Sequence, residues 1–133
     1  MNSTAQLSVV TCMDPRVKRP VREYLEARGY PEGTYTFHTT PGASIQIKKL
    51  QSDLELAINK FGSNQIWILD HEDCLAFKHW NGCDRRLDHL RQLDRAFKWL
   101  AQEFVGVIVR TFYVPTSNSE PIEERVIAQA VPT

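Results

Sequence analysis

The chain has 133 residues, 42% of them hydrophobic, with 16 basic and 16 acidic side chains and a formal net charge of zero. That length makes one domain able to bury roughly two thirds of its unfolded surface without staples, and the balanced charge provides no global field for nucleic acid or anionic lipid. No long apolar run and no basic-then-apolar start mark a membrane span or signal peptide, so a cytoplasmic protein without nucleic-acid or membrane partners is expected, whose three cysteines cannot all pair within one chain.

Leu7 to Thr11 is a short β-branched run that stops at Cys12, because Pro15 cannot continue a ladder. From Arg16 the apolar positions Val17, Val21, Tyr24 and Leu25 recur at helical spacing, and Gly29 supplies a stop. Pro20 suits only a first helical turn, which moves the expected start toward Lys18 or Arg19. Thr34 to His38 reads as a second strand, closed by Thr39-Thr40-Pro41-Gly42. Ile47, Leu50, Leu54, Ala57, Ile58 and Phe61 then form one apolar stripe with a period of about 3.6 residues, ended by Gly62.

Gln65 to Leu69 is a near-continuous apolar run, as in a strand covered on both faces, and it delivers Asp70 and His71 to the end where Cys12 lies. After a loop through Trp80-Asn81-Gly82, the positions Leu87, Leu90, Leu93, Phe97, Leu100 and Phe104 make a long amphipathic helix. Val105 to Val109 reads as a fourth buried strand running toward Val114, with an apolar sheet edge near Val107 to Phe112. The polar tail from Thr116 is read as a loose terminus or an arm onto a partner subunit, with a short helix over Glu123 to Ala130.

Alternation of strand and helix predicts a single α/β domain over residues 1–133, with a mostly parallel four- to five-stranded sheet flanked by helices. Such folds bind ligands outside the carboxyl ends of the strands. Cys12 and His71 both fall there. Thiolate and imidazole are the donors zinc prefers, and three protein ligands leave a fourth position open. His71 and Cys74 stand three residues apart, which on a helical turn puts both on one face. Cys12 is distant and must be brought in by the fold, an arrangement more typical of catalysis than of a zinc finger. A phosphatase loop is disfavoured, since Cys12 to Arg16 is too short and Pro15 lacks a donor.

Cys12-Met13-Asp14-Pro15-Arg16 and His71-Glu72-Asp73-Cys74 resemble the two signatures of the β-class carbonic anhydrases, Cys-x-Asp-x-Arg after the first strand and His-x-x-Cys after the third. The resemblance runs from Leu7 to about Val114. It implies that Cys12, His71 and Cys74 bind Zn2+, that Asp14 and Arg16 form the catalytic dyad, and that the enzyme is a zinc lyase. That lyase would reversibly hydrate carbon dioxide to bicarbonate by a metal-bound hydroxide, as a homodimer or tetramer. Arg16 would keep Asp14 ionised and turned from the metal, and a closed state with Asp14 as fourth ligand is expected at low pH or when that pair is broken.

The chain departs from the family in having Thr39-Thr40-Pro41-Gly42 where Arg-Asn-Ala-Gly is common, Leu75 where glycine usually follows the second cysteine, and only Met1 to Gln6 before the first strand. The Thr39-Thr40-Pro41 replacement motivates one alternative, a non-catalytic zinc-binding homologue; the resemblance implies another, a hydrolase of carbon disulfide or carbonyl sulfide, which the family's scaffold also supports and for which the sequence offers no discriminator. His38, His79 and His89 are read as incidental, Trp67 and Trp99 as core, Lys48, Lys49, Arg85 and Arg86 as solvated helix faces, and Asp73 as orienting a ligand or capping its turn.

Overall fold

The computed structural model describes residues 4–116 and 120–125. Its elements are β1 (Leu7–Thr11), α1 (Pro15–Ala27), β2 (Tyr35–Thr39), a 3-10 segment (Ala43–Leu50), α2 (Gln51–Phe61), β3 (Gln65–His71), α3 (Leu75–Asn81), α4 (Arg86–Glu103), β4 (Ile108–Val114) and β5 (Glu123–Arg125). They build one five-stranded sheet of order β2-β1-β3-β4-β5, in which the first four strands are parallel and β5 is antiparallel.

The expected α/β architecture is the observed one, and its cause is visible in β3. Trp67 and Leu69 pack with Leu7 and Val9 against Val17, Val21 and Leu25 of α1. Ile66 and Ile68 turn the other way, with Val10, onto Leu54 of α2 and Leu93 and Leu100 of α4. Helices thus cover both faces, and a strand buried on both sides carries apolar residues without alternation. Thr11 pairs with Leu69, so Cys12 and His71 emerge at the same end of the sheet.

Several boundaries differ from the expectations. Helix α1 starts at Pro15, not near Lys18, because Asp14 caps it by accepting from the Arg16 backbone N–H. Pro20 lies inside, where it gives up only the bond to the Arg16 carbonyl. The stripe from Ile47 to Phe61 is not one helix: a 3-10 segment with a non-helical Gln46 precedes α2. A seven-residue helix, α3, occupies the expected loop and ends at Gly82. Leu87 is exposed rather than part of the α4 stripe.

Strand β4 begins at Ile108, because Val105 and Gly106 form a turn in which Gly106 takes φ +88° and the Val107 N–H bonds the Phe104 carbonyl. It is no sheet edge, since β5 covers it: Arg110 donates twice to Glu124 at 2.7 Å, and Arg125 reaches Asp94 on α4 at 2.9 Å. Glu123–Arg125 is therefore strand where a helix was expected, and residues 126–130 of that expectation lie outside the described residues. Of the helix faces read as solvated, Arg85 pairs with Asp88, Arg86 with Glu123, and Lys49 lies over the Trp80 ring. No helix among the described residues is long and apolar enough to cross a membrane.

Leu93 is fully buried between α4 and the sheet. Leu93→Ala is expected to cost about 2–5 kcal/mol in urea unfolding followed by circular dichroism, because lost transfer energy and a residual cavity add. Leu87→Ala, at an exposed position of the same helix, should stay within about 0.5 kcal/mol.

Candidate metal centre

The strand ends and the turns after them bring three donors to one point. Cys12 follows β1, His71 is the last residue of β3, and Cys74 caps α3; all are buried, with their ligand atoms within 4.8 Å of one another. The two sulfurs are 3.7 Å apart and unbridged. His71 and Cys74 do not share a helical turn. A strand-to-helix turn joins them instead, made by Asp73 in the left-handed region at φ +58°, and it still aims both side chains inward. Cys83 is exposed and apart.

Each donor is oriented by backbone. The Gly42 N–H points at Cys12 Sγ at 3.4 Å and the Phe77 N–H at Cys74 Sγ at 3.3 Å. His71 Nδ1 lies 2.8 Å from the Glu72 carbonyl, which can only accept, so Nδ1 carries the proton and Nε2 is left with its lone pair. That Nε2 is buried without a hydrogen-bond partner. Two thiols beside an orphaned imidazole nitrogen form a donor set that suits zinc.

Asp14 and Arg16 stand at the mouth. Arg16 donates from Nε to Asp14 Oδ1 at 3.1 Å and from Nη2 to Oδ2 at 2.8 Å. The same guanidinium holds Asp73, through Nη1 to Oδ2 at 3.0 Å and Nη2 to the backbone carbonyl at 2.8 Å. Asp73, read from sequence as a cap or orienting group, thus ties one motif to the other. Asp14 Oδ2 lies 3.8 Å from His71 Nε2.

The Arg16 side-chain hydrogen bonds hold the Asp14 carboxyl down at about 2, against the opposing effect of burial. The thiols titrate as a pair: the Cys74 S–H steadies a Cys12 thiolate and lowers its pKa, and that thiolate in turn raises Cys74. Burial pulls His71 down, but Cys12 and Asp14 outweigh it and leave it raised. Arg16 is raised by Asp14 and then Asp73.

Sequence reasoning passed over His89. It is 1% exposed on the core face of α4, four residues before Leu93, with Nδ1 2.9 Å from Asp70 Oδ2 and Nε2 on Asp84 Oδ1. The readable signal was a carboxylate, Asp70, following four apolar residues of a central strand. His38 is half-buried against Thr36 and His79 is exposed on α3; neither belongs to the centre. Beside Asp14 opens a recess of about 480 Å³, flanked by Met13 and Leu75.

Comparison with known proteins agrees with this geometry. Residues 2–123 match a protein family described as "Putative carbonic anhydrase". The carbonic anhydrase of Streptococcus mutans superposes with a TM-score of 0.67 at 16% identity, over 93% of this chain and 84% of that one. A tetrameric β-carbonic anhydrase of Sordaria macrospora gives 0.64 at 13%, over 98% and 84%. A carbon disulfide hydrolase gives 0.50 at 15%, over 100% and 89%. No curated protein matches at the level of sequence. The fold is thus the one shared with β-carbonic anhydrases, and by the family match over nearly its whole length the chain belongs to that carbonic anhydrase family.

Proposed function

We propose that the protein is a cytoplasmic zinc lyase that reversibly hydrates carbon dioxide to bicarbonate, with Cys12, His71 and Cys74 as metal ligands and Asp14 and Arg16 as the catalytic dyad. The observation that carries this reading is the bare, buried Nε2 of His71 facing two thiols and one ionised carboxylate. Zinc held there would supply the Lewis acidity that activates a water for addition to carbon dioxide.

Asp14, charged and therefore acceptor-only, orients a donor close to His71 Nε2. Arg16 occupies both carboxylate oxygens and is itself held by Asp73, so Asp14 does not swing into the ligand set. Since the folded pKa of Asp14 is about 2, its charge persists at any neutral pH, and the stability of its pairing is lost only as acid drives the pH down toward that value. A rate that rises from pH 7 to pH 9 therefore reports on the substrate water, not on Asp14. Breaking the pair by mutation is the more direct route to the closed state.

Stopped-flow carbon dioxide hydration on protein of measured zinc content tests the reading. One zinc per chain and a rate rising with pH are expected. Asp14→Asn, which keeps the helix cap, and Arg16→Ala should each retain zinc and lose roughly 10²- to 10⁴-fold in rate. Full zinc with no hydration at any pH would overturn the lyase; turnover of carbon disulfide or carbonyl sulfide in that sample would replace it with the hydrolase, and no turnover at all with the non-catalytic homologue that Thr39-Thr40-Pro41 suggests.

The working unit is read as a homodimer or tetramer. Met13 is 62% exposed and Leu75 76%, apolar side chains beside the recess that a second copy would cover. Light scattering on the eluting protein is expected to give at least the dimer mass, and a monomer at every concentration would remove this assignment.

A further inference from the structure

We propose that His89, which touches none of the three ligand side chains, is a positioning residue for the metal centre, referencing the backbone around both cysteines to one buried ring. The inference rests on the reading of Cys12, His71 and Cys74 as ligands.

Both ring nitrogens face carboxylates, Nδ1 toward Asp70 and Nε2 toward Asp84. A carboxylate only accepts, so both nitrogens donate and the ring is an imidazolium. Burial pulls its pKa down, but the bonds and charges of Asp70 and Asp84 raise it overall. From each carboxylate a second bond leads to the centre. Asp70 accepts the Ser44 N–H at 3.0 Å and the Ser44 hydroxyl at 2.6 Å, which fixes the turn whose Gly42 N–H points at Cys12 Sγ. Asp84 accepts the Cys74 N–H at 2.8 Å. The face of the ring stacks on Phe77, with centroids 3.7 Å apart and planes at 24°, and the Phe77 N–H points at Cys74 Sγ. Asp70 is also the residue before His71. One side chain on α4 therefore sets the backbone donors to both sulfurs.

A purely structural ion cluster is the competing account. Desolvating an imidazolium and two carboxylates is costly, and well-packed apolar residues of the same volume usually serve stability as well or better. Stability alone does not explain why the two carboxylates also bond the turn that donates to Cys12 Sγ and the backbone N–H of Cys74. Groups that orient metal ligands from behind typically change metal affinity by roughly 10- to 100-fold when removed.

The test uses the full chain as wild type, His89→Gln, Asp84→Ala and the double variant. Zinc affinity is measured by competition with a chromogenic chelator, the thiolate-to-metal absorption is recorded after cobalt loading, and the unfolding midpoint is taken on metal-free protein. Each single variant is expected to bind zinc roughly 10- to 100-fold more weakly and to shift the cobalt spectrum. The double variant should be about as weak as the weaker single, since both act along one path. If folded variants keep zinc affinity within about twofold of wild type, or move only the metal-free midpoint, His89 is structural and the inference fails. Should His89→Gln not fold, Asp84→Ala, in a loop outside the core, decides on the same criteria. A wild type that takes up neither zinc nor cobalt overturns the ligand reading itself, and this inference with it.

Discussion

Everything at this centre depends on the register of two neighbouring parallel strands. Val10 pairs with Ile68 and Thr11 with Leu69, so the chain leaves β1 at Cys12 beside the point where β3 delivers Asp70 and His71. Side chains alternate across a sheet, and a slip by one residue would send each to the opposite face. The register is held by two separate apolar layers, Val9 with Trp67 and Leu69 on the α1 face and Val10 with Ile66 and Ile68 on the other. A shifted pairing would break both layers at once. The site thus inherits its precision from the core, and the turns after the strands need only finish the placement.

Those turns are finished by charge. Four carboxylates and two thiols converge on the sheet end: Asp14 and Asp73 at the mouth, Asp70 and Asp84 behind, Cys12 and Cys74 between. Two cations answer them. Arg16 is half-exposed and clamps the front pair, while His89 is enclosed and clamps the rear pair. Acidic groups outnumber basic ones even so, and the thiol pair cannot readily lose its second proton. A dication among the donors would relieve that imbalance and take both sulfurs as thiolates. The electrostatics of the surrounding shell and the chemistry of the donor set therefore favour the same occupant.

What the sequence made legible followed from patterns longer than a few residues. The unbroken apolar run of β3, the helical stripes of α1 and α4, and the paired motifs were readable because each repeats one constraint several times. Helix α3 was not, since seven residues carry too little periodicity and its start is set by the Cys74 cap. Nor was β5, which exists through pairings of Glu124 with Arg110 and Arg125 with Asp94, contacts no local pattern encodes. The role of His89 was hidden for the same reason. An imidazole on a helix says nothing until the fold brings two carboxylates to it, and only the charge of Asp70 inside an apolar strand hinted that a partner was required.

The departures at Thr39-Thr40-Pro41-Gly42 can be weighed by what touches the three candidate donors, Cys12, His71 and Cys74. Only Gly42 does so through its backbone, by its N–H to Cys12 Sγ, and it takes φ +80° to do it. A Cβ there would lie 2.6 Å from Ile45 Cγ2 and against the Phe77 backbone, so the position requires glycine for both conformation and space. Thr40 contributes its N–H to the Thr11 carbonyl, a bond any residue but proline could make. The one residue of that turn shared with the family pattern is thus the one whose backbone the sulfur needs. The departures in this turn therefore fall on residues whose backbone makes no hydrogen bond to the sulfur, and the backbone donor to Cys12 is kept.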